Sequence, residues 1–396
     1  MKISGNDVAT GRAVEVEFSD SILSVTPAPS PVEFYIAPGW IDIQVNGFAG
    51  VDYNHPETPH EEIARSIHAL FATGVTRFYP TVITGSPQDM EGALRNLARA
   101  KDGLPEGDAI DGFHVEGPHI SAEDGPRGAH PRHWVRKPDI KEFRRWQEAT
   151  GNRIRVVTIS PEWPEALDYI EKVTAEGVVA AVGHTHATAR QIADAVAAGA
   201  TLSTHLGNGA HGVLRRHPNY IWEQLAEDRL MADFIVDGIH LDASFLKVAL
   251  RAKGIARSVL VTDAAPPAGA LPGRYRLGEQ EVDLTTDGRV VLAGQDRLAG
   301  SALSMDRAIG NVMRLAGVSL DDAVRMATTN AARAGGVPGR ALGLVPGERA
   351  DLVQFRFDPQ ASQIDVVSTW VGGALAWSDP YRTVCFSLRS QKNKSD

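Results

Sequence analysis

Between Pro38 and about residue 263, short apolar runs alternate with longer stretches in which apolar residues recur every three or four positions. The short runs lie near 40–46, 76–83, 110–116, 154–159, 178–184, 200–205, 231–237 and 257–263. In 59–72, Ile63, Ile67, Leu70 and Phe71 repeat at i, i+4, i+7 and i+8, the stripe of an amphipathic helix. Segments 88–100, 138–149, 164–176, 188–198, 219–227 and 242–253 behave alike. Strand-like runs separated by amphipathic helices are the signature of βα units on a parallel sheet. Eight units predict a (β/α)8 barrel, with an open doubly wound sheet as the alternative. Polar residues gather at the C-terminal ends of several different runs, which favours the barrel.

The flanks have another rhythm. Ala13, Val14 and Val16, then Ile22, Leu23 and Val25, read as short strands, and Pro27, Pro29, Pro31 and Pro38 punctuate the stretch between them and the first apolar run. Residues 273–293 alternate around Thr286-Asp287-Gly288 and predict a β-hairpin inserted after the eighth strand. Helices are expected at 302–316 and 320–334, the second opened by Ser319 with Asp322 three residues on and closed by Gly335-Gly336. After Pro346-Gly347, strands return at Leu352, Val353 and Phe355 and at Val366, Val367, Trp370 and Val371. The expected division is a barrel over 38–344 and a small β domain assembled from 1–37 and 345–396. The polar tail, Ser390 to Asp396, is expected to fray.

Composition narrows the possible chemistry. The chain has 396 residues, 43% hydrophobic and 22% charged, ordinary for a globular protein and far from a disordered one. Its formal charge of −9 argues against a nucleic-acid partner, which would need a basic surface. Cys385 is the only cysteine, so neither an intramolecular disulfide nor a thiolate zinc site can form. Any metal must use His, Asp or Glu. The N-terminus lacks an apolar signal core, and no uncharged run reaches the ~18 residues of a membrane span. These features predict a cytoplasmic protein with no membrane partner.

Barrel enzymes place their catalytic groups at the C-terminal strand ends. Here those ends carry Gln44 and Asn46, Glu116, His184, His205 and Asp263. Glu116, His184 and His205 form a carboxylate-plus-two-imidazole set that could hold zinc and leave a position open. Asp263 would face them as a general base. Taken singly, each has a plainer reading: a hydrogen-bonded histidine, a turn-closing glutamate, a helix-capping aspartate. Their coincidence at four strand ends favours a site. His186, two residues after His184, would share the ligand face only if the strand ran on through it. The loop reading is preferred, leaving His186 and His211 without an assigned role.

The segment Pro38 to Gly47 resembles the first barrel strand of the N-acetylglucosamine-6-phosphate deacetylases, in the amidohydrolase superfamily. His114-Val115-Glu116-Gly117-Pro118, Gly183-His184-Thr185, Thr204-His205-Leu206, Asp237 to His240, Val261 to Ala264 and Leu298 to Leu303 resemble the family's other motifs, in its order and across essentially the whole chain. The resemblance implies a (β/α)8 barrel plus a small β-sandwich built from both termini. It implies one divalent metal at Glu116, His184 and His205, most simply Zn2+ with Fe2+ as alternative. A second ion is disfavoured because the first strand has Gln44 and Asn46 in place of the usual His pair, and the fourth lacks Lys. The family does include two-metal members.

By the same matching, Asp263 takes the catalytic aspartate's place and His130 that of a histidine reaching the sugar. Arg216 and His240 resemble the residues that hold the sugar phosphate, and Asn208, with the following backbone N–H at Gly209, resembles its amide contacts. A homodimer lending Arg216 across its interface is implied. The expected reaction is hydrolysis of the acetamide of an N-acetylamino sugar 6-phosphate. The loop after His205 departs from the family, reading Leu206-Gly207-Asn208-Gly209-Ala210-His211 and later Arg216-His217-Pro218-Asn219. That leaves open an amidohydrolase acting on another N-acyl sugar, an N-acyl amino acid or a cyclic amide. A non-enzymatic sugar-phosphate-binding barrel is the third reading.

Overall fold

A computed structural model describes residues 1–29, 32–340 and 343–380. Cys385 and the polar tail lie outside the described residues.

Eight parallel strands form one sheet in chain order: Trp40–Val45, Val75–Ile83, Phe113–Glu116, Ile154–Ile159, Val179–Val182, Leu202–Ser203, Met231–Ile235 and Ser258–Val261. The first and last meet through a parallel bridge between Val45 and Ala264, and the Asn46 N–H donates to the Ala264 carbonyl at 2.8 Å. The sheet is therefore a closed barrel, as the eight-unit pattern predicts. The outer helices His60–Phe71, Pro87–Gly103, Ile140–Thr150, Ala166–Ala175, Ala189–Ala197, Tyr220–Ala226 and Ala243–Lys253 each come after a strand. Their apolar stripes face the sheet; in the first, Ile63, Ile67, Leu70 and Phe71 are buried. The connections are sharply capped. Ser86 accepts from the Asp89 N–H, and Thr188 and Gln191 form a reciprocal capping box.

The sixth strand is only two residues long, against the expected 200–205. The chain leaves the extended region at His205, whose φ is +29°. The expected hairpin at 273–293 is a three-stranded meander, Gly273–Leu277, Gln280–Leu284 and Val290–Leu292. Its second turn is the predicted one, with Gly288 at φ +85°; the first, at Gly278-Glu279, adds a strand. The meander has its own small core, Leu277, Val282, Leu284, Val290 and Leu292, seated on Ile83, Ala265 and Ala299 at the barrel rim. The eighth outer helix is Met305–Ala316. The single helix expected at 320–334 is broken into Leu320–Met326 and Thr329–Gly335. The break is imposed by the first barrel strand: the Ile41 N–H donates to the Ala327 carbonyl at 2.8 Å, while Thr328 leaves helical φ/ψ.

Both chain ends enter one seven-stranded sheet, ordered Ala374–Ser378, Gln363–Val371, Leu352–Asp358, Tyr35–Pro38, Lys2–Asp7, Ala13–Phe18, Ile22–Pro27. The strands Lys2–Asp7, Tyr35–Pro38 and Ala374–Ser378 add to those read from the sequence. The sheet curls over itself in a sandwich-like manner. Phe18 and Trp370 are four strands apart, yet their rings meet edge to face at 6.0 Å over a core of Val14, Val16, Ile22, Ile36 and Leu352.

At the barrel's base, Asp351 is completely buried among three guanidinium groups. Arg77 Nε lies 2.7 Å from one carboxylate oxygen and Arg340 Nη2 3.2 Å from the same oxygen, while Arg349 Nε is 3.3 Å from the other. Burial alone would raise this carboxyl's pKa; the three arginines outweigh it and hold the group below the usual aspartate range.

Candidate active site

At the opposite end, the residues just past the strands converge on one cleft of about 570 Å³. Glu116 Oε1 lies 2.8 Å from His205 Nε2 and 3.2 Å from His184 Nε2, and the two Nε2 atoms are 3.0 Å apart. His184 Nδ1 donates to the Pro126 carbonyl at 2.8 Å. A carbonyl can only accept, so the Nδ1 proton is fixed there and Nε2 of the neutral ring carries a lone pair. That lone pair faces a carboxylate oxygen and a second imidazole nitrogen. Such an arrangement calls for a shared proton or a cation between these atoms, and an acid oxygen with two imidazole nitrogens is a suitable donor set for zinc or a similar ion. His130 stands just outside: its Nε2 is 3.9 Å from Glu116 Oε2, and its Nδ1 pairs with Thr84 Oγ1 at 2.8 Å.

Asp263 completes the constellation. Its Oδ1 accepts from Asn46 Nδ2 at 2.7 Å and from Gln44 Nε2 at 3.1 Å, and Gln44 Nε2 also reaches Glu116 Oε1 at 2.8 Å. Both amides therefore take Oδ1. Burial and the charge of Glu116 push Asp263 up to about 6. Glu116 itself is buried, which raises a carboxyl, but hydrogen bonds from His184 and His205 hold it well below its ordinary value. His205 moves up to about 9: burial lowers it and the Glu116 hydrogen bond more than compensates. Burial holds His130 down near 3, a neutral ring at any working pH.

The backbone is strained by this convergence. His184, His205 and Asp263 all have positive φ, at +47°, +29° and +49°. Non-glycine residues in that region cost roughly 1–3 kcal/mol each and cluster at functional sites. Two buried aspartates lie below two of these turns. Asp42 accepts from Thr262 Oγ1 at 2.6 Å and from the Thr262 N–H at 3.3 Å, beside Asp263. Asp233 accepts from the His205 N–H through its side chain. Both are pushed up to about 7 by burial. Sequence reasoning missed them, although a lone aspartate inside an apolar strand was a visible anomaly.

The remaining predicted residues are placed unevenly. Asn208, Gly209 and His240 line the cleft. Asn208 Nδ2 is buried without a partner and so available to a ligand. Gly209 sits at φ +54°, and a Cβ there would lie 2.7 Å from His184 Nδ1, so any other residue would have to push the His184 ring aside. His240 Nδ1 bonds Asp237 Oδ2 at 2.6 Å, which leaves Nε2 for the cleft. Arg216 is not brought in; it is exposed on the loop after the sixth strand, outside the cleft of its own chain. Arg297, not singled out from sequence, is the only lysine or arginine lining the cleft among the described residues. His186 is in a loop, as preferred. Its Nδ1 lies 2.9 Å from Glu162, and Glu123 bridges its Nε2 at 3.5 Å and His211 Nε2 at 3.3 Å, away from the ligand set.

The architecture and site define a barrel amide-hydrolase class, and comparison with known proteins agrees. Residues 35–376 match the model of the Amidohydrolase family, so the chain belongs to that family. It is 32% identical over 351 residues to N-acetylglucosamine-6-phosphate deacetylase of Bacillus subtilis (strain 168), covering 88% of this chain and 86% of the relative. The Homo sapiens protein of the same name is 34% identical over 354 residues, covering 86% and 83%. The structure of a point variant of N-acetyl-D-glucosamine-6-phosphate deacetylase from Mycobacterium smegmatis, in complex with N-acetyl-D-glucosamine-6-phosphate, superposes with a TM-score of 0.84 at 32% identity, covering 93% of this chain and 95% of that one. Within the amidohydrolases, the chain falls in the N-acetylglucosamine-6-phosphate deacetylase family. No helix among the described residues is long and apolar enough to cross a membrane.

Proposed function

We propose that this protein hydrolyses the acetamide of N-acetylglucosamine 6-phosphate, giving glucosamine 6-phosphate and acetate. The observation that carries the reading is the meeting of Glu116, His184 and His205 beside an Asp263 whose Oδ1 is already committed to two amides. A divalent cation held by Glu116, His184 and His205, in our reading Zn2+ rather than Fe2+, supplies Lewis acidity to the amide carbonyl and acidifies the attacking water.

Asp263 Oδ2, which makes no hydrogen bond to the described residues, takes a proton from that water as its oxygen adds to the carbonyl carbon. The same carboxyl then gives the proton to the sugar nitrogen as the C–N bond breaks. A raised pKa near the working range suits both halves of this exchange. His130, neutral and held by Thr84, faces the carbonyl oxygen or a sugar hydroxyl. Asn208, the Gly209 N–H and His240 Nε2 hold the distal end of the substrate and so orient the amide.

Arg216 then acts on the cleft of a second copy. Its loop and the helix that follows, Tyr220–Ala226, carry exposed apolar side chains suited to such a contact, with Val213 91% and Trp222 47% exposed. A phosphorylated sugar does not cross membranes unaided, which fits a cytoplasmic enzyme. The test is acetate release from GlcNAc 6-phosphate, GalNAc 6-phosphate and the unphosphorylated sugars. Preference for the first is expected, and indifference to the phosphate would overturn the substrate. Because Arg216 stands outside its own cleft, a second reading keeps the chemistry and changes the N-acyl substrate. It gains if Arg216→Ala is silent.

A further inference from the structure

The two imidazoles of the ligand set are held in different ways. The His184 ring is fixed through Nδ1 by the Pro126 carbonyl. His205 Nδ1 is buried and has no hydrogen-bond partner, so nothing polar fixes that ring from behind. What is fixed is its backbone. The regular ladder between the sixth and seventh strands ends with Ser203 opposite Ala232. Beyond it, one residue of the seventh strand captures two successive amides: the His205 N–H donates to the Asp233 carboxylate, and the Leu206 N–H donates to the Asp233 carbonyl at 2.9 Å. Between those two bonds the chain takes the left-handed conformation that turns Nε2 towards Glu116 and His184.

We propose that Asp233 is the positioning residue for His205, supplying through the main chain the support that the ring itself lacks. A metal-ligating histidine ordinarily has its other ring nitrogen bonded, which fixes its orientation. Here the carboxylate replaces that device by holding the backbone amide. The role rests on the reading that Glu116, His184 and His205 bind a divalent cation. Asp233 touches neither substrate nor ion, so its effect is on how well the ligand set is preformed.

The test measures zinc affinity of the metal-free full-length protein by competition with a chromophoric chelator, alongside its thermal unfolding. Asp233→Ala is expected to weaken zinc binding about 10–100-fold, the range for losing a residue that supports a metal ligand. Asp233→Asn keeps an acceptor oxygen in the same place and is expected to stay close to wild type. A merely structural role would lower the unfolding temperature and leave the affinity of the folded protein unchanged; that result overturns the proposal, as does an Asn variant as weak as Ala. If Asp233→Ala does not fold, Asp233→Thr, strand-favouring but too short to reach the amide, takes its place with the same two readings. Failure of the wild type to bind zinc overturns the metal site and this role together. Wild-type binding with an unchanged Asp233→Ala overturns this role alone.

Discussion

The barrel buries a carboxylate-centred cluster at each end, and the two are built on opposite plans. At the base, Asp351 faces Arg77, Arg340 and Arg349, all permanently charged. At the rim, Glu116 faces two imidazoles, groups that can change protonation, while Asp263 is raised and His130 lowered nearby. At the base every guanidinium has a second carboxylate besides Asp351 (Asp111 on Arg77, Glu348 near Arg340, Asp108 on Arg349), and among the described residues no non-glycine residue of the cluster has positive φ. The rim has an electron-rich centre and three such residues. Both arrangements cost desolvation, so burial alone does not distinguish them. What separates a scaffold from a reaction centre is whether the cluster is complete without another molecule.

The comparison can be broken by cutting each end. The largest effect is expected for Asp263→Asn, which keeps shape and hydrogen bonds but removes the proposed base. Turnover should fall by about 10²–10⁴-fold with little change in unfolding temperature, and near-wild-type turnover would remove Asp263 from the chemistry. At the base, Asp351→Ala should do the reverse. It strands buried guanidinium charge at a cost of about 3–5 kcal/mol in a denaturant titration, and whatever remains folded should keep its kcat. A loss of kcat there would mean that the two ends are not separable.

Acid provides an intermediate probe. Burial holds His119, packed on Trp146 and Tyr169, down to about 4 against an ordinary 6.5. The folded state then binds fewer protons than the unfolded, so this contribution is present above pH 6.5 and is lost as pH falls towards 4. The shift corresponds to roughly 3 kcal/mol. Asp351, depressed in the folded state, loses its contribution only as pH falls through a value below the ordinary aspartate range. Hydrogen exchange measured from about pH 6.5 down to 4 should open residues 113–130 before 345–355, and simultaneous opening would erase the distinction. Smallest is the effect of Gly209→Ala. It presses on His184 Nδ1 without removing any ligand, and metal retention after dialysis should fall modestly.

Much of this was readable in advance, for physical reasons. Eight buried strands and their amphipathic helices impose periodicities that survive in the sequence. Glu116, His184, His205 and Asp263 stand out because each closes an apolar run. The supporting contacts were not readable: Asp233 lies 28 residues from His205, and only the closed barrel sets them side by side. The break at Thr328 was invisible because it is imposed by Ile41, far away in the chain. Arg216 shows the limit of motif matching, since a loop position says nothing about whose cleft it reaches.

The sheet that joins both chain ends has a consequence for how the molecule is made. During synthesis the strand Tyr35–Pro38 emerges early, but its antiparallel neighbour Leu352–Asp358 comes more than three hundred residues later. Until then, Ile36 and Val16 have no inner layer to cover them. Asp351, which immediately precedes that late strand, also reaches Arg77 only at the end. A nascent chain thus carries an uncapped strand edge through almost the whole of translation, and Arg77, with Asp111 alone among its two carboxylate partners, waits as long for the second. Completion of the base is a late and non-local event, of the kind that slows folding and invites trapping by chaperones or by other chains.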